Sequence, residues 1–320
     1  MDLSARIGSL TLPNPVMTAS GTAGHGAELS AYFALSELGA VVVKSLAAFP
    51  WAGNPAPRVH ETTAGMLNSV GLQGPGVGAW LADELPTLLG CGARVVASIW
   101  GRTVEEYAEA AAMLAQAPPE VVAVEVNVSC PNLEDGRRMF AHSAAATESA
   151  LAATGACGRP RWAKLSPNVA DLAEIAGAAR RGGAEAVTLV NTVMGMAIDP
   201  LTRAPRLAGN GGGLSGTAIH PVAVRAVYDV AAALPDLPII GVGGVASGSD
   251  AAELVLAGAT AVQVGTATFA DPRAPVRVLA GLRTWAASQE VSGLDEVVGA
   301  AHHPGIHRRG AAARSGGFSP

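Results

Sequence analysis

The chain has 320 residues, of which 49% are hydrophobic and 15% charged, and its formal net charge is −5. This composition supplies a large apolar core and excludes a disordered protein, and the length suits one (β/α) barrel. The acidic balance argues against a groove for nucleic acid. Its three cysteines, Cys91, Cys130 and Cys157, form no CxxC pair. They therefore favour a reducing compartment and argue against a disulfide framework or a metal site.

From the sequence we expect neither a signal peptide nor a membrane span. The first residues lack the basic start and apolar run of a signal peptide, and no stretch is long and apolar enough to span a membrane. We therefore expect a cytoplasmic protein without membrane contact. We expect residues 1–307 to form one domain and residues 308–320 to be a disordered tail.

Eight short β-branched runs alternate with amphipathic segments along the chain. Most are apolar throughout, as in parallel strands that are covered on both faces. The runs span residues 15–20, 40–46, 94–100, 121–129, 162–166, 186–192, 238–245 and 261–267. Eight strand–helix alternations predict an α/β fold, a single closed (β/α)8 TIM barrel. An open doubly wound sheet is the alternative, but Ser20-Gly-Thr-Ala-Gly after the first run does not match GxGxxG.

The intervening segments carry helix-start signals. Thr103-Val-Glu-Glu106 reads as a capping box that opens a helix to about residue 117. Asn168 is predicted to cap a helix over residues 169–181, and Ser247 or Ser249 to cap one over 250–257. Three connections are longer than turns and would lie at the C-terminal rim of the barrel: residues 47–81, 130–143 and 193–216.

Glycines follow the last two predicted strands. Gly243-Gly244 and Gly265-Thr266 would let backbone N–H groups approach an anion, and barrels often bind phosphate after strands seven and eight. The alternative is a pair of tight turns without a ligand. Because the barrel places both loops side by side, we favour a phosphate site.

Lysines and asparagines stand at other strand ends. A lysine in an apolar strand needs a partner or a polar cavity, and Lys44 and Lys164 together favour an anionic or electron-rich ligand over two ion pairs. The asparagines Asn68, Asn127, Asn132 and Asn191 offer the donors and acceptors that suit a ring with alternating C=O and N–H groups, such as a pyrimidine. Any one of them alone could equally cap a turn.

Cys130 is the cysteine that the pattern places in a rim loop, directly before Pro131. We read Cys91 and Cys157 as small hydrophobes or loop residues. An unperturbed thiol titrates near pH ~8.5. As a general base Cys130 would therefore need a depressed pKa or an alkaline optimum, and a loop that closes over it.

With these residues in place, the chain resembles the class 1 dihydroorotate dehydrogenases from about residue 10 to residue 269. The matching segments are residues 14–21, 43–45, 53–58, 65–73, 125–132, 164–168, 190–192, 212–216, 243–244 and 265–266. Gly71-Leu72-Gln73 is most similar to the 1B subclass. In that subclass the FMN subunit pairs with a second subunit that carries FAD and a 2Fe-2S cluster, and NAD is the final acceptor.

The resemblance implies an FMN-dependent oxidation of dihydroorotate to orotate in pyrimidine biosynthesis, with Cys130 as the base. It assigns FMN to Ser20, Lys44, Ser45, Ser98, Asn127, Lys164, Val190, Gly216, Gly243, Gly244, Gly265 and Thr266. It assigns substrate to Lys44, Asn68, Ser69, Val70, Gly71, Leu72, Asn127, Asn132, Asn191 and Thr192. It also implies a homodimer and an electron-transfer subunit that completes a heterotetramer.

Alternatives remain open at this point. They are a fumarate-linked class 1A enzyme, a reductase similar to dihydropyrimidine dehydrogenase, a tRNA dihydrouridine synthase, and a phosphate-binding barrel without catalysis. The sequence also departs from the family pattern. Ser98 stands where the family usually has Asn, Asn210-Gly-Gly replaces the usual lead to Gly213, and the predicted lid carries Arg137 and Arg138, which we expect to face solvent rather than a substrate carboxylate.

Overall fold

A computed structural model describes residues 2–129, 139–209 and 211–303. Its barrel strands, numbered in chain order, are β1 Val16–Thr18, β2 Val41–Val42, β3 Val95–Ile99, β4 Val121–Asn127, β5 Arg161–Lys164, β6 Ala186–Leu189, β7 Ile239–Val242 and β8 Ala261–Val264. They form one parallel sheet in the order β1-β8-β7-β6-β5-β4-β3-β2. A bridge between Met17 and Ala40 joins the two edge strands, and Val42 donates its N–H to Thr18 Oγ1 at 2.8 Å. The predicted (β/α)8 barrel is confirmed.

Helices alternate with these strands. They are α1 Val77–Ala79, α2 Leu85–Gly90, α3 Val104–Leu114, α4 Ala144–Ala153, α5 Leu172–Arg181, α6 His220–Ala233, α7 Gly248–Ala257, α8 Ala267–Ala270 and α9 Ala274–Ser288. The eighth predicted run was too long, because Ala267 already begins α8.

Two predicted helix starts are confirmed and one is wrong. Ser247 caps α7 in a full capping box with Asp250. Thr103 caps α3, but the Glu106 carboxylate turns to Arg102 instead of returning to the cap. Asn168 does not cap α5, because the helix begins four residues later and Asp171 accepts the N–H of Glu174 at 3.0 Å.

The barrel interior is filled by apolar side chains at its N-terminal end. The hairpin of Ala5–Ile7 and Leu10–Leu12 closes this end, and Ile7 and Leu12 pack there against Met17, Trp162 and Ile240. A second, larger apolar cluster lies on the other face of the sheet, between the strands and the helices. The apolar lower half of the barrel therefore supports the buried polar side chains that lie above it.

The long connections after β2 and β6 build a small sheet that the sequence did not predict. Its antiparallel strands run in the order Val193–Gly195, Gly212–Ser215, Gly65–Asn68 and Val59–Thr62. Gly213 pairs with Asn68 across the two connections. The sheet thereby fixes both rim loops against each other.

No helix within the described residues is long and apolar enough to cross a membrane.

Candidate active site

Polar side chains face the barrel interior above the apolar layer because side chains alternate along a strand. In β4, Ala123 belongs to the inner cluster, whereas Val124 and Val126 pack in the outer cluster. The same alternation turns Glu125 and Asn127 inward. Both are buried, at 0% and 5% exposure, so each needs a polar partner inside the barrel.

A cavity of about 930 Å³ opens above this layer, at the C-terminal ends of the strands. Most residues predicted to bind cofactor or substrate line its wall. They are Ser20, Lys44, Ser45, Asn68, Val70, Gly71, Leu72, Asn127, Lys164, Val190, Asn191, Thr192, Gly216, Gly243, Gly244, Gly265 and Thr266. Cys130, Asn132, Arg137 and Arg138 lie outside the described residues.

Ser69 and Ser98 stand behind the cavity wall rather than on it. Ser69 Oγ accepts a hydrogen bond from the Asn54 amide at 3.1 Å. Ser98 is fully buried and its Oγ lies 2.9 Å from Ser45 Oγ. Both serines support wall residues, and their predicted direct contact with a ligand stays a prediction.

One chain of hydrogen bonds connects four strand ends. Asn191 Nδ2 donates to Asn127 Oδ1 at 3.4 Å, and Asn127 Nδ2 donates to Ser45 Oγ at 3.3 Å, which in turn meets Ser98. The backbone carbonyl of Asn127 accepts from Tyr107 at 2.7 Å. The amides are thus held in fixed orientations, as recognition of a polar ring requires.

Lys44 presents an uncompensated charge to the cavity. Within the described residues its ammonium has neither a hydrogen bond nor an ion pair. Burial, and to a smaller extent the nearby charge of Arg58, lowers the pKa of Lys44. An anionic or electron-rich ligand would remove this penalty.

Lys164 differs from Lys44 because its ammonium has polar partners inside the barrel, beneath the cavity. Its Nζ lies 4.0 Å from Glu125 Oε1 and donates to Gln263 Oε1 at 3.4 Å. Glu125 was missed as a site residue, although its position two residues before Asn127 places it on the same face of β4. Lys44 and Lys164 are the only lysines of the chain.

The loop after β7 lines the cavity and packs closely against the start of α6. Gly243 and Gly244 have φ of 134° and 70°, which other residues rarely adopt. A Cβ on Gly244 would lie 2.6 Å from the Cβ of His220, the first residue of α6. The His220 ring is fixed between the Gly243 carbonyl at 2.9 Å and Glu253 Oε2 at 3.2 Å, which holds the loop at the start of this helix.

The segment from Asn68 to Leu72 is held by an aromatic cluster outside the cavity. Trp51 Nε1 donates to the Gly71 carbonyl at 3.0 Å, and Trp51, Phe49 and Trp100 meet edge to face. Leu72 lines the cavity with φ of 61°, a conformation that is strained for leucine. The cluster therefore stabilises a loop that would not keep this shape alone.

Further polar residues line the cavity without having been predicted to do so, among them Ser129, Ser166 and Asn168. Ser129 Oγ is buried and has no hydrogen-bond partner within the described residues. Asn168 donates to Ser166 Oγ at 2.8 Å and to the Thr192 carbonyl at 2.9 Å, and thereby ties the ends of β5 and β6 together. The signal for Asn168 was its place after a strand end, which we had read as a helix cap.

Fold and site together define a class: a (β/α)8 barrel with a polar-lined cavity at the C-terminal rim of its strands. Residues 2–285 match the family model described as dihydroorotate dehydrogenase. The chain belongs to this family of flavoprotein oxidoreductases.

Curated relatives agree with this assignment and with the 1B subclass. The catalytic subunits of dihydroorotate dehydrogenase B (NAD(+)) from Trichlorobacter lovleyi and Alkaliphilus oremlandii are each 47% identical over 299 residues. The same subunit from Geobacter metallireducens is 47% identical over 300 residues. Each alignment covers 93% of this chain and 98% of the relative. The resemblance inferred from the sequence is confirmed.

Lys44→Met should stabilise the ligand-free protein. Because the folded state lowers the pKa of Lys44, the unfolded chain binds this proton more tightly, so wild-type stability rises with pH until the ordinary lysine value is reached. At pH values below the folded-state pKa of Lys44, the variant should be more stable than wild type. Its stability should also lack the increase with pH that Lys44 causes in wild type. Urea unfolding of ligand-free protein from neutral to alkaline pH measures both. Arg225→Met, which removes an exposed cation of α6, is the control and should keep the wild-type slope.

Proposed function

We propose that this chain is an FMN-dependent dihydroorotate dehydrogenase that oxidises (S)-dihydroorotate to orotate. The observation that carries the proposal is the position of Lys44 on the same cavity wall as the fixed amides of Asn127 and Asn191. A carboxylate would neutralise the ammonium, while the amides would pair with the C=O and N–H groups of the ring. Dihydroorotate carries both features in one small molecule.

The residues present fit FMN. Ser129 Oγ is buried in the cavity wall without a partner among the described residues, and Gly243 and Gly244 line the same cavity without side chains that would narrow it. Gly243, Gly244, Gly265 and Thr266 would hold the phosphate, and Lys164 with Asn127 the polar edge of the ring system. Hydride acceptance is the chemistry that FMN supplies when bound.

The chain's own residues divide the remaining work. Lys44 binds the substrate carboxylate, and Asn68, Asn127 and Asn191 orient the ring. Cys130, which lies outside the described residues, takes the proton from C5 of the substrate. Ser129, which precedes it in the sequence, lines the cavity. General-base catalysis of this kind requires a group within hydrogen-bond reach of the reacting carbon.

The direct test is anaerobic mixing of the FMN-loaded chain with dihydroorotate. The flavin absorbance should bleach, and one orotate should form per flavin. Cys130→Ala should retain FMN but bleach slower by on the order of 10²–10⁴-fold, because the proton then has no base. Cys157→Ala, at a buried thiol in another part of the barrel, is the matched control and should bleach at the wild-type rate.

Two results would contradict the proposal. A purified chain that is colourless and does not bind added FMN overturns the whole function. Normal bleaching in Cys130→Ala leaves the reaction standing but removes Cys130 as its base.

Electrons are proposed to leave through a second subunit that carries FAD and a 2Fe-2S cluster, with NAD as acceptor. The support is the similarity to relatives named as catalytic subunits of an NAD(+)-linked enzyme. We expect the isolated chain to show no turnover with fumarate, and to turn over with NAD only when it is co-purified with the second subunit. Fumarate turnover by the isolated chain would instead assign it to class 1A.

A homodimer is proposed through an apolar strip of Met194, Met196, Ile198 and Leu201, which are between 54% and 91% exposed. Contiguous exposed apolar side chains on a folded protein indicate a contact surface. Ile198→Glu with Leu201→Glu should convert the dimer to a monomer in sedimentation experiments. Val222→Glu, on the exposed face of α6, is the control and should remain dimeric. A wild-type chain that sediments as a monomer rules the dimer out.

A further inference from the structure

A cluster of buried polar side chains lies directly beneath the cavity. It consists of Glu125 of β4, Lys164 of β5, Thr188 of β6 and Gln263 of β8, all at 5% exposure or less. Lys164 lines the cavity, whereas Glu125 and Gln263 do not. Any effect of Glu125 on a bound molecule is therefore exerted through Lys164 or through the electric field of its charge.

The hydrogen bonds of the cluster have one consistent direction. Lys164 Nζ donates to Gln263 Oε1 at 3.4 Å, which leaves the Gln263 Nε2 group to donate to Glu125 Oε2 at 2.7 Å. Thr188 Oγ1 donates to the same carboxylate oxygen at 3.0 Å. Glu125 accepts every bond that it makes in the cluster, as an ionised carboxylate does.

The second carboxylate oxygen of Glu125, Oε1, faces Lys164. Glu125 Oε1 has no hydrogen-bond partner, and within the described residues Lys164 is the only cation within 4.0 Å of it. The two charges compensate each other where little of either side chain is exposed, 6% for Lys164 and 0% for Glu125. Because little solvent screens them there, each charge also acts on whatever occupies the cavity above.

We propose that Glu125 is a positioning residue for Lys164 that lowers the midpoint reduction potential of the flavin. This inference rests on the proposed function. Two electrons, delivered as hydride from dihydroorotate, leave the reduced flavin with one negative charge when no further proton is taken up. Lys164 stabilises this charge, and Glu125 offsets part of that stabilisation.

The consequence concerns the direction of electron flow. A lower reduction potential of the flavin favours its oxidation by the acceptor and disfavours its reduction by the substrate. Glu125 thus prevents Lys164 from trapping the flavin in its reduced form. It also holds the flexible lysine side chain at one place on the cavity wall.

The test is a reductive titration of the FMN-loaded chain with a reference dye, which requires neither substrate nor partner. Glu125→Gln keeps the size and one hydrogen-bond acceptor but removes the charge. It should shift the two-electron reduction equilibrium toward reduced flavin at least tenfold, about 30 mV upward. Thr188→Val removes a hydrogen bond to the same oxygen without changing any charge and should shift it less than threefold.

The outcomes separate this inference from the proposed function. If the chain binds no FMN, the proposed function is contradicted. A Glu125→Gln variant that binds FMN with an unchanged or lower potential overturns the inference alone. If this variant does not fold, Lys164→Gln is compared with the charge-free double variant of Glu125→Gln and Lys164→Gln at saturating FMN. The double variant should again have the higher potential, and equal potentials overturn the proposal.

Discussion

The buried ion pair of Glu125 and Lys164 is the constraint on which the upper half of the barrel depends. Closing eight strands into a barrel creates an interior that water cannot reach, and charges placed there must be compensated locally. In the sheet, Glu125 lies beside Trp162 of the apolar layer, and Lys164 lies two residues further along β5. On one side of the pair the interior is packed with apolar side chains, and on the other side Asn127 lines the cavity. Removing one partner would leave an isolated charge at the junction.

The two lysines illustrate two different uses of the same residue. Lys164 is compensated before any ligand arrives, so its ammonium is positioned at modest cost. Lys44 is not compensated, and burial lowers its pKa. An anion that binds beside it would remove this cost and thereby gain binding free energy. All other basic side chains apart from histidine are arginines. A lysine ammonium is a compact point charge, whereas the arginine fork favours planar, bidentate partners.

Much of the fold was predictable because its signals are local. Each apolar run contains a strand, and the glycines and serines that end or begin helices are read from their neighbours in sequence. The errors have a common physical cause. Asn168 has the composition of a helix cap, but its partners Thr192 and Met194 lie on the next strand's loop, which no local pattern reveals. The central pairing of the four-stranded sheet was missed for the same reason, since it joins residues about 145 positions apart, as Asn68 and Gly213 show.

Glu125 is a different kind of omission, because the signal was present. The alternation that turns Asn127 inward also turns Glu125 inward, and an acidic residue in an otherwise apolar strand carries the same cost as a buried lysine. Register then completes the argument: Asn127 lies beside Lys164 in the sheet, so Glu125 stands one step below this lysine. A carboxylate and an ammonium at this spacing on neighbouring strands can compensate each other only if both remain ionised. The pair therefore restricts what replaces either residue, because a neutral substitution at one leaves the charge of the other without its partner.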